Sequence, residues 1–358
     1  MKIGILTFHW GTNYGGVLQA YALQTYLLQH GHDTQIIDYI PYTLEKKLVN
    51  CFITKRPWRI PLNLLEYLKE LKFRKFRKKH LHLSRRYQSF EDLKKNPPSY
   101  DICICGSDQI WNPNFTLRGE GKLTLSYFLD FCPSNVKRIA YAVSFGYTTQ
   151  YPESLLKLLS PIVSGFDAVS VRENSGCHLV HKMGIDDVVL MPDPVLLLKA
   201  KDYEALVQIA QKTNNKYSFF YSLHDSQTTI KEIKNHFRRL HYKIIDTRSL
   251  ENSIMDVDAW LAFIQSSSVV ITNSYHGMIF SIIFRKPFIV VPVEGMYEEM
   301  NDRIFTLLGK LGLQDRCIDS CDENRLNALL ARAIDWEIVE NRLESLRNDA
   351  WLFFEKNL

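Results

Sequence analysis

Residues 269–292 read Val-Val-Ile-Thr-Asn-Ser-Tyr-His-Gly-Met-Ile-Phe-Ser-Ile-Ile-Phe-Arg-Lys-Pro-Phe-Ile-Val-Val-Pro. Val269 to Thr272 is a β-type apolar run that ends in a polar cluster. Gly277 permits a close backbone turn, and Met278 to Phe284 is apolar enough for a buried helix. Arg285, Lys286 and Pro287 stop that helix, and Phe288 to Val291 is a second buried strand. This is a βαβ crossover, half of a doubly wound unit, in which ligands bind beyond the carboxyl ends of the strands. His276 is expected at that end, just before a helix N-terminus whose free N–H groups favour an anion. A lone histidine there is as readily a structural, hydrogen-bonded one. Ser274, Tyr275, Arg285 and Lys286 beside it favour a negatively charged substrate.

Working outward, strand, helix and strand are expected at Tyr217–Ser222, Thr228–Leu240 and Lys243–Asp246, with a helix over Asp256–Ile264. Further helices are expected at Glu298–Leu311, Arg325–Ile334 and Glu337–Glu355. In the first half, strand Lys2–Phe8 leads through His9-Trp-Gly-Thr-Asn-Tyr-Gly-Gly16 into a helix over Val17–His30 that stops at Gly31. That turn is not Gly-x-Gly-x-x-Gly, so a dinucleotide is poorly supported. Tyr100–Cys105 is a strand ending in Gly106-Ser-Asp-Gln-Ile-Trp-Asn-Pro113. Asp108 is the one carboxylate there, a candidate for binding or deprotonating a sugar hydroxyl; a capped turn is the other reading. Strand Ala168–Val171 runs into Arg172-Glu173, and Pro192-Asp-Pro194 ends the next strand.

This alternation implies an α/β protein of two Rossmann-like domains facing a cleft, the GT-B-like arrangement, with the C-terminal helix packing back on the first domain. The expected division is 1–195, with a basic insertion at about 41–95, then 196–335, then a terminal helix over 336–358.

The chain has 358 residues, 46% of them hydrophobic, enough for two cores. No apolar run reaches the ~18–20 residues of a membrane span, and the N-terminus lacks the parts of a signal peptide. Seven scattered cysteines suit a reducing compartment, and Cys317 and Cys321 lack a second ligand pair at zinc-site spacing, so no metal is expected there. A cytoplasmic protein is expected. Its net charge of +5 does not by itself argue for nucleic acid, and no recognition motif supports one. Leu68 to His80 crowds cations among Leu and Phe. It is a solvated helix face, a stretch packed on the first domain, or a peripheral contact with the inner face of an anionic membrane.

The run Thr272-Asn-Ser-Tyr-His-Gly-Met-Ile-Phe-Ser-Ile-Ile-Phe-Arg-Lys-Pro-Phe288 resembles the signature of the polysaccharide pyruvyl transferase family. The N-terminal loop, Gly106-Ser-Asp-Gln-Ile-Trp-Asn112 and Ser170-Val-Arg-Glu-Asn-Ser175 are similar to other segments of that family. Residues 41–95 carry no resemblance. It implies transfer of the enolpyruvyl group of phosphoenolpyruvate onto a sugar of a cell-surface polysaccharide or its precursor, closed into a ketal. Phosphoenolpyruvate is then a co-substrate, the acceptor is a sugar or lipid-linked oligosaccharide, and neither metal nor other cofactor is needed. The second domain would bind the donor and the first the acceptor.

The catalytic residues expected on this reading are His276 and Asp108. Donor binding falls to Arg172, Lys286, Arg285, Ser274 and Gly277. Asn13, Tyr14, Gly15, Gly16, Ser107, Gln109, Trp111 and Asn112 are expected to line the acceptor side. Arg172, His276 and Lys286 are expected to converge on one anion. Two alternatives are a nucleotide-sugar glycosyltransferase of the same architecture, with Glu294 on the ribose, and a non-catalytic sugar-binding protein.

Overall fold

The computed structural model describes residues 1–116, 120, 123–146, 151–207, 216–223 and 228–358. The chain divides into two compact units: residues 1–55, 74–197 and 345–358, and residues 56–73 with 198–344.

The first unit holds strands β1 (Lys2–Leu6), β2 (Asp33–Ile36), β3 (Ile102–Gly106), β4 (Lys137–Val143), β5 (Ala168–Val171) and β6 (Val188–Leu190). They form one parallel sheet in the order β2-β1-β3-β4-β5-β6. The second unit holds β7 (Tyr217–Tyr221), β8 (Lys243–Asp246), β9 (Val269–Thr272) and β10 (Phe288–Val290), parallel in the order β10-β9-β7-β8. Strands covered on both faces must be apolar throughout, and every residue of β3, β7 and β9 is buried.

The two units are wound alike. Each begins with a strand that takes its second strand on one side and its third on the other, so the winding reverses beside β1/β3 and β7/β9. A doubly wound sheet opens a crevice at the carboxyl end of such a reversal. The helices α1 (Tyr14–Gln29), after β1, and α2 (Tyr275–Ile283), after β9, start at those two places.

Most expected elements are present, with shifted ends. The crossover helix α2 starts three residues earlier than expected, because Ser274 caps it by accepting from Gly277 N at 3.3 Å. Its neighbour over 298–311 is two pieces, a 3₁₀ segment Gly295–Asn301 and a helix α3 (Asp302–Leu311) that ends at left-handed Gly312.

A third difference concerns residues 56–73, expected within the first domain, which cluster with the second unit. There Lys72 pairs at 3.9 Å with Asp256, the cap of helix Val257–Ser266. The C-terminal helix Trp336–Asn357 buries Phe353 and Phe354. Phe354 packs on Tyr141 and Tyr26 of the first unit, with ring centroids 4.6 and 5.4 Å apart. Arg347 adds a hydrogen bond to the Leu196 carbonyl.

Candidate functional site

At the reversal in the first unit, Asn13 caps α1, its side-chain oxygen accepting from Gly15 N at 3.0 Å and Gly16 N at 3.4 Å. The next loop along the edge follows β3 and carries Asp108 in the left-handed region, at φ 67°. Asp and Asn tolerate that conformation better than most side chains. One Asp108 carboxylate oxygen accepts from Gln109 N at 2.9 Å and from Arg172 at 3.3 Å. The other lies over the first turn of α1, where a Cβ on Gly16 would be 3.5 Å from it. A carboxylate thus lies beside the helix N-terminus, where negative charge is favoured, and a Cβ at 16 would crowd the Phe8 carbonyl, at 3.0 Å, rather than Asp108.

Around Asp108 the expected acceptor residues are packed inward. Tyr14, Ser107, Gln109, Trp111 and Asn112 are all buried. Trp111 stacks on Phe128 at 5.0 Å and donates to the Tyr127 carbonyl, so it belongs to the core and not to a cleft. Gln109 and Asn112 bond each other at 2.9 Å, and Gly146 lies so close that a Cβ there would meet both within 2.6 Å. The Ser107 hydroxyl lies 3.0 Å from the Ala142 carbonyl and 3.2 Å from Asp193. This run is a packed turn that fixes Asp108, because its polar groups satisfy one another away from water.

Arg172 differs most from expectation. Its guanidinium is fully enclosed, 2.7 Å from Asp193, 3.3 Å from Asp108 and 3.7 Å from Glu173. A donor anion would have to compete with carboxylates already in place. In the sequence Asp193 reads only as part of a strand stop, Pro192-Asp-Pro194. The available signal was its position, a carboxylate immediately after β6 on the edge that carries the other polar groups.

Three further residues, His9, Asp38 and Arg86, form a cluster that the sequence does not single out. His9, with no exposed surface, sets Nε2 2.9 Å from Asp38 and Nδ1 3.2 Å from the Thr7 carbonyl. Arg86 donates to the other Asp38 oxygen at 2.6 Å. Burial alone would raise the Asp38 carboxyl, but the His9 and Arg86 contacts outweigh it and hold it below the usual range.

In the second unit, the loop after β9 is locked to the loop after β7. Asn273 accepts from Leu223 N at 2.8 Å and donates to the Ser222 hydroxyl at 3.1 Å. Thr272 donates to the Tyr221 carbonyl at 2.6 Å and accepts from Ser274 N. The Tyr221 hydroxyl, pushed up by burial, interacts with Ser274. A Cβ at Gly277 would meet the Thr272 hydroxyl at 2.5 Å and the Tyr221 ring at 3.0 Å. Gly277 is thus needed for α2 to seat on the sheet. His276 lies in the first turn of α2, inside the helix and not before it, and is 6% exposed.

The topology separates Arg285 and Lys286 from His276. Both follow the last turn of α2 and precede β10, whose Phe288 pairs with Val270 near the start of β9. They therefore sit at the amino edge of the sheet, while His276 follows its carboxyl edge. Ten residues of mostly helical chain part His276 from Lys286, about 15 Å at helical rise. The expected convergence of Lys286 with His276 on one anion is corrected: a parallel crossover places its two turns at opposite edges. Arg285 is exposed and 3.4 Å from Glu340. Burial pushes the Lys286 ammonium below the ordinary lysine value. A cation at this helix start is Arg303, from α3, whose guanidinium carbon lies 5.4 Å from the ring centre of Tyr275, the neighbour of His276.

No group of three or more His, Cys, Asp or Glu side chains able to hold a metal ion occurs among the described residues. None of their helices is long and apolar enough to cross a membrane.

Two Rossmann-like parallel units in one chain, each offering polar groups at its point of reversal, define the class: an α/β protein of GT-B-like composition. The chain belongs to the polysaccharide pyruvyl transferase family, whose pattern it matches over residues 13–295. It is therefore assigned to an enzyme family that transfers a pyruvyl group to polysaccharide. No curated protein matches the chain. Similar solved structures include a glycotransferase of kitacinnamycin, 12% identical with a TM-score of 0.45, covering 100% of this chain and 99% of that one. The UDP-GlcNAc 2-epimerase from Neisseria meningitidis is 10% identical at a TM-score of 0.49, covering 97% and 98%. Arabidopsis thaliana UGT89C1 is also 10% identical at 0.49, covering 98% and 93%. Likeness at that level says nothing about what this chain binds.

Proposed function

We propose that the chain transfers the enolpyruvyl group of phosphoenolpyruvate to two hydroxyls of a sugar destined for a surface polysaccharide. Family membership supports the reaction class. The single structural observation that carries the reading is His276, held in the first turn of α2 at the carboxyl edge of the second sheet by the Ser274 cap and the Asn273 lock.

In this reading one acceptor hydroxyl adds to C2 of the enol as a proton is delivered to C3, and the hydroxyl proton passes to a base. The C2–O bond to phosphate then breaks, phosphate carries away the electron pair, and an oxocarbenium centre forms. The second hydroxyl closes on C2 and loses its proton, giving the ketal and inorganic phosphate. The second unit binds the donor: His276 is the acid at C3 or at the departing phosphate. Arg303 supplies the cation assigned earlier to Lys286, since it lies at the same edge as His276. Asp108 receives a hydroxyl proton from the acceptor on the first unit, with Arg172 positioning it. Half-buried Trp10, whose indole N–H is held by Tyr127 at 3.1 Å, and Phe115 offer aromatic surface for a sugar ring. The acceptor is a sugar or a lipid-linked oligosaccharide, and the basic face of residues 68–80 suits a lipid-linked one at the inner face of a membrane.

The test is mass spectrometry of glycan acceptors incubated with enzyme and phosphoenolpyruvate. A pyruvyl mass increment with release of phosphate is expected. Stabilisation against heat by nucleotides and not by phosphoenolpyruvate would favour a glycosyltransferase instead.

A further inference from the structure

Residues 42–80 carry twelve Lys or Arg against three Glu. The rest of this +5 chain is therefore net negative. The same segment exposes large apolar side chains in an unusual concentration: Ile53 is 73% exposed, Trp58 75%, Phe52 56%, and Leu62, Leu68 and Leu71 each more than 40%. Single exposed apolar residues are ordinary on a protein surface, whereas a run of them marks an interaction site.

The helix Ile60–His80 shows how the two features are arranged. Glu70, Phe73, Phe76 and Arg77, at helical spacing, are buried on its inner face, and Arg77 donates to the Gly11 carbonyl. Its outer stripe runs Leu68, Leu71, Lys75, Lys78 and Lys79, all exposed. The outward face thus passes from Leu68 and Leu71 at mid-helix to lysines in its last two turns, and exposed Trp58 and Ile53 precede the helix in the chain. Arg77 and the two phenylalanines serve packing, so only part of the basic stretch is available to a partner.

We infer that residues 52–79 form a membrane-docking segment that inserts Ile53, Trp58, Leu68 and Leu71 into the interfacial layer of an anionic bilayer, with Lys75, Lys78 and Lys79 against its headgroups. Charge selects this occupant. A second copy docking through this same face would bring a like-charged surface against it, and like charges repel. A polyanion in water would leave Ile53, Trp58 and Leu68 uncovered. Interfacial helices combine an apolar face with Lys and Arg, and aromatic side chains favour the boundary between tail and headgroup. The inference deepens the lipid-linked reading of the acceptor, but its test needs neither donor nor acceptor.

Full-length protein would be sedimented with vesicles of phosphatidylcholine alone and of phosphatidylcholine with phosphatidylglycerol, at low and high salt, beside Ile53→Ser/Trp58→Ser and Lys75→Glu/Lys78→Glu/Lys79→Glu variants. The altered side chains are exposed, so thermal melts are expected to match the parent. The parent is expected to bind the anionic vesicles and to retain part of that binding at high salt. Transfer of each large apolar side chain implies roughly a tenfold loss of partitioning for each serine. The glutamate variant is expected to lose the preference for anionic vesicles. The inference is overturned if the parent does not sediment with anionic vesicles, or if the serine variant binds as well as the parent. It is equally overturned if sedimentation equilibrium shows the parent to be a dimer that the serine changes dissociate. Failure here with intact pyruvyl transfer would leave the proposed reaction standing, and the reverse holds too.

Discussion

Asp108 and His276 occupy equivalent places in two sheets of the same winding: each lies in the segment leaving the third strand of its unit, at the carboxyl edge beside the reversal. Both are mostly buried, at 9% and 6% exposure, and both stand at the start of a helix. The two differ in chemistry. Asp108 is a carboxylate beside α1 and bonded to Arg172, and His276 is an imidazole in the first turn of α2.

His276→Ala is expected to lower kcat by about 10²–10⁴-fold, the usual range for a lost general acid. The donor KM is expected to change much less, because the residue acts as bonds change. Steady-state kinetics with a thermal melt separate this from a structural histidine, whose loss would lower stability and donor affinity together.

Arg303→Ala is expected to raise the donor KM at least tenfold, and Lys286→Ala to leave it within about twofold, since their edges differ. Donor titrations of both variants check the reassignment. The opposite ranking would restore Lys286.

Arg172→Ala is expected to destabilise the protein by about 3–5 kcal/mol, the cost of leaving buried carboxylates without their partner. Chemical denaturation measures it. An Arg172→Ala protein as stable as the parent and defective only in donor binding would falsify the positioning role.

Asp38 gives a pH signature. Its folded-state pKa lies below the ordinary 3.8. Its ionised contacts with His9 and Arg86 thus contribute stability above that value, and the contribution is lost as pH falls through the folded pKa. The stability gap between parent and Asp38→Asn is expected to be widest above pH ~4 and to close under stronger acid. Melts from pH 6 downward would follow it, and a gap that widens in acid contradicts the assignment.

The strands were legible because parallel strands buried on both faces must be apolar runs, and Val269–Thr272 and Ala168–Val171 could hardly be anything else. Helix starts were less legible. Tyr14 and Tyr275 open their helices because Asn13 and Ser274 cap them, and a cap is decided by geometry across three residues. Individual roles were the least legible. Arg172 and Lys286 are both cations in family-like segments. Nothing local to either tells that one is enclosed by Asp108, Glu173 and Asp193 and the other lies at the wrong end of a helix. Arg303 lies 27 residues beyond His276, and only the fold brings it to Tyr275.

The caps at Asn13 and Ser274 bear on how the enzyme would run while its product accumulates. The N–H groups at Gly15, Gly16 and Gly277 are already satisfied by side-chain oxygens of the protein. Neither helix therefore presents a fully open cradle for a bare anion. Inorganic phosphate, offered only part of the donor's contacts, is expected to hold on poorly, so turnover can continue in a phosphate-rich compartment.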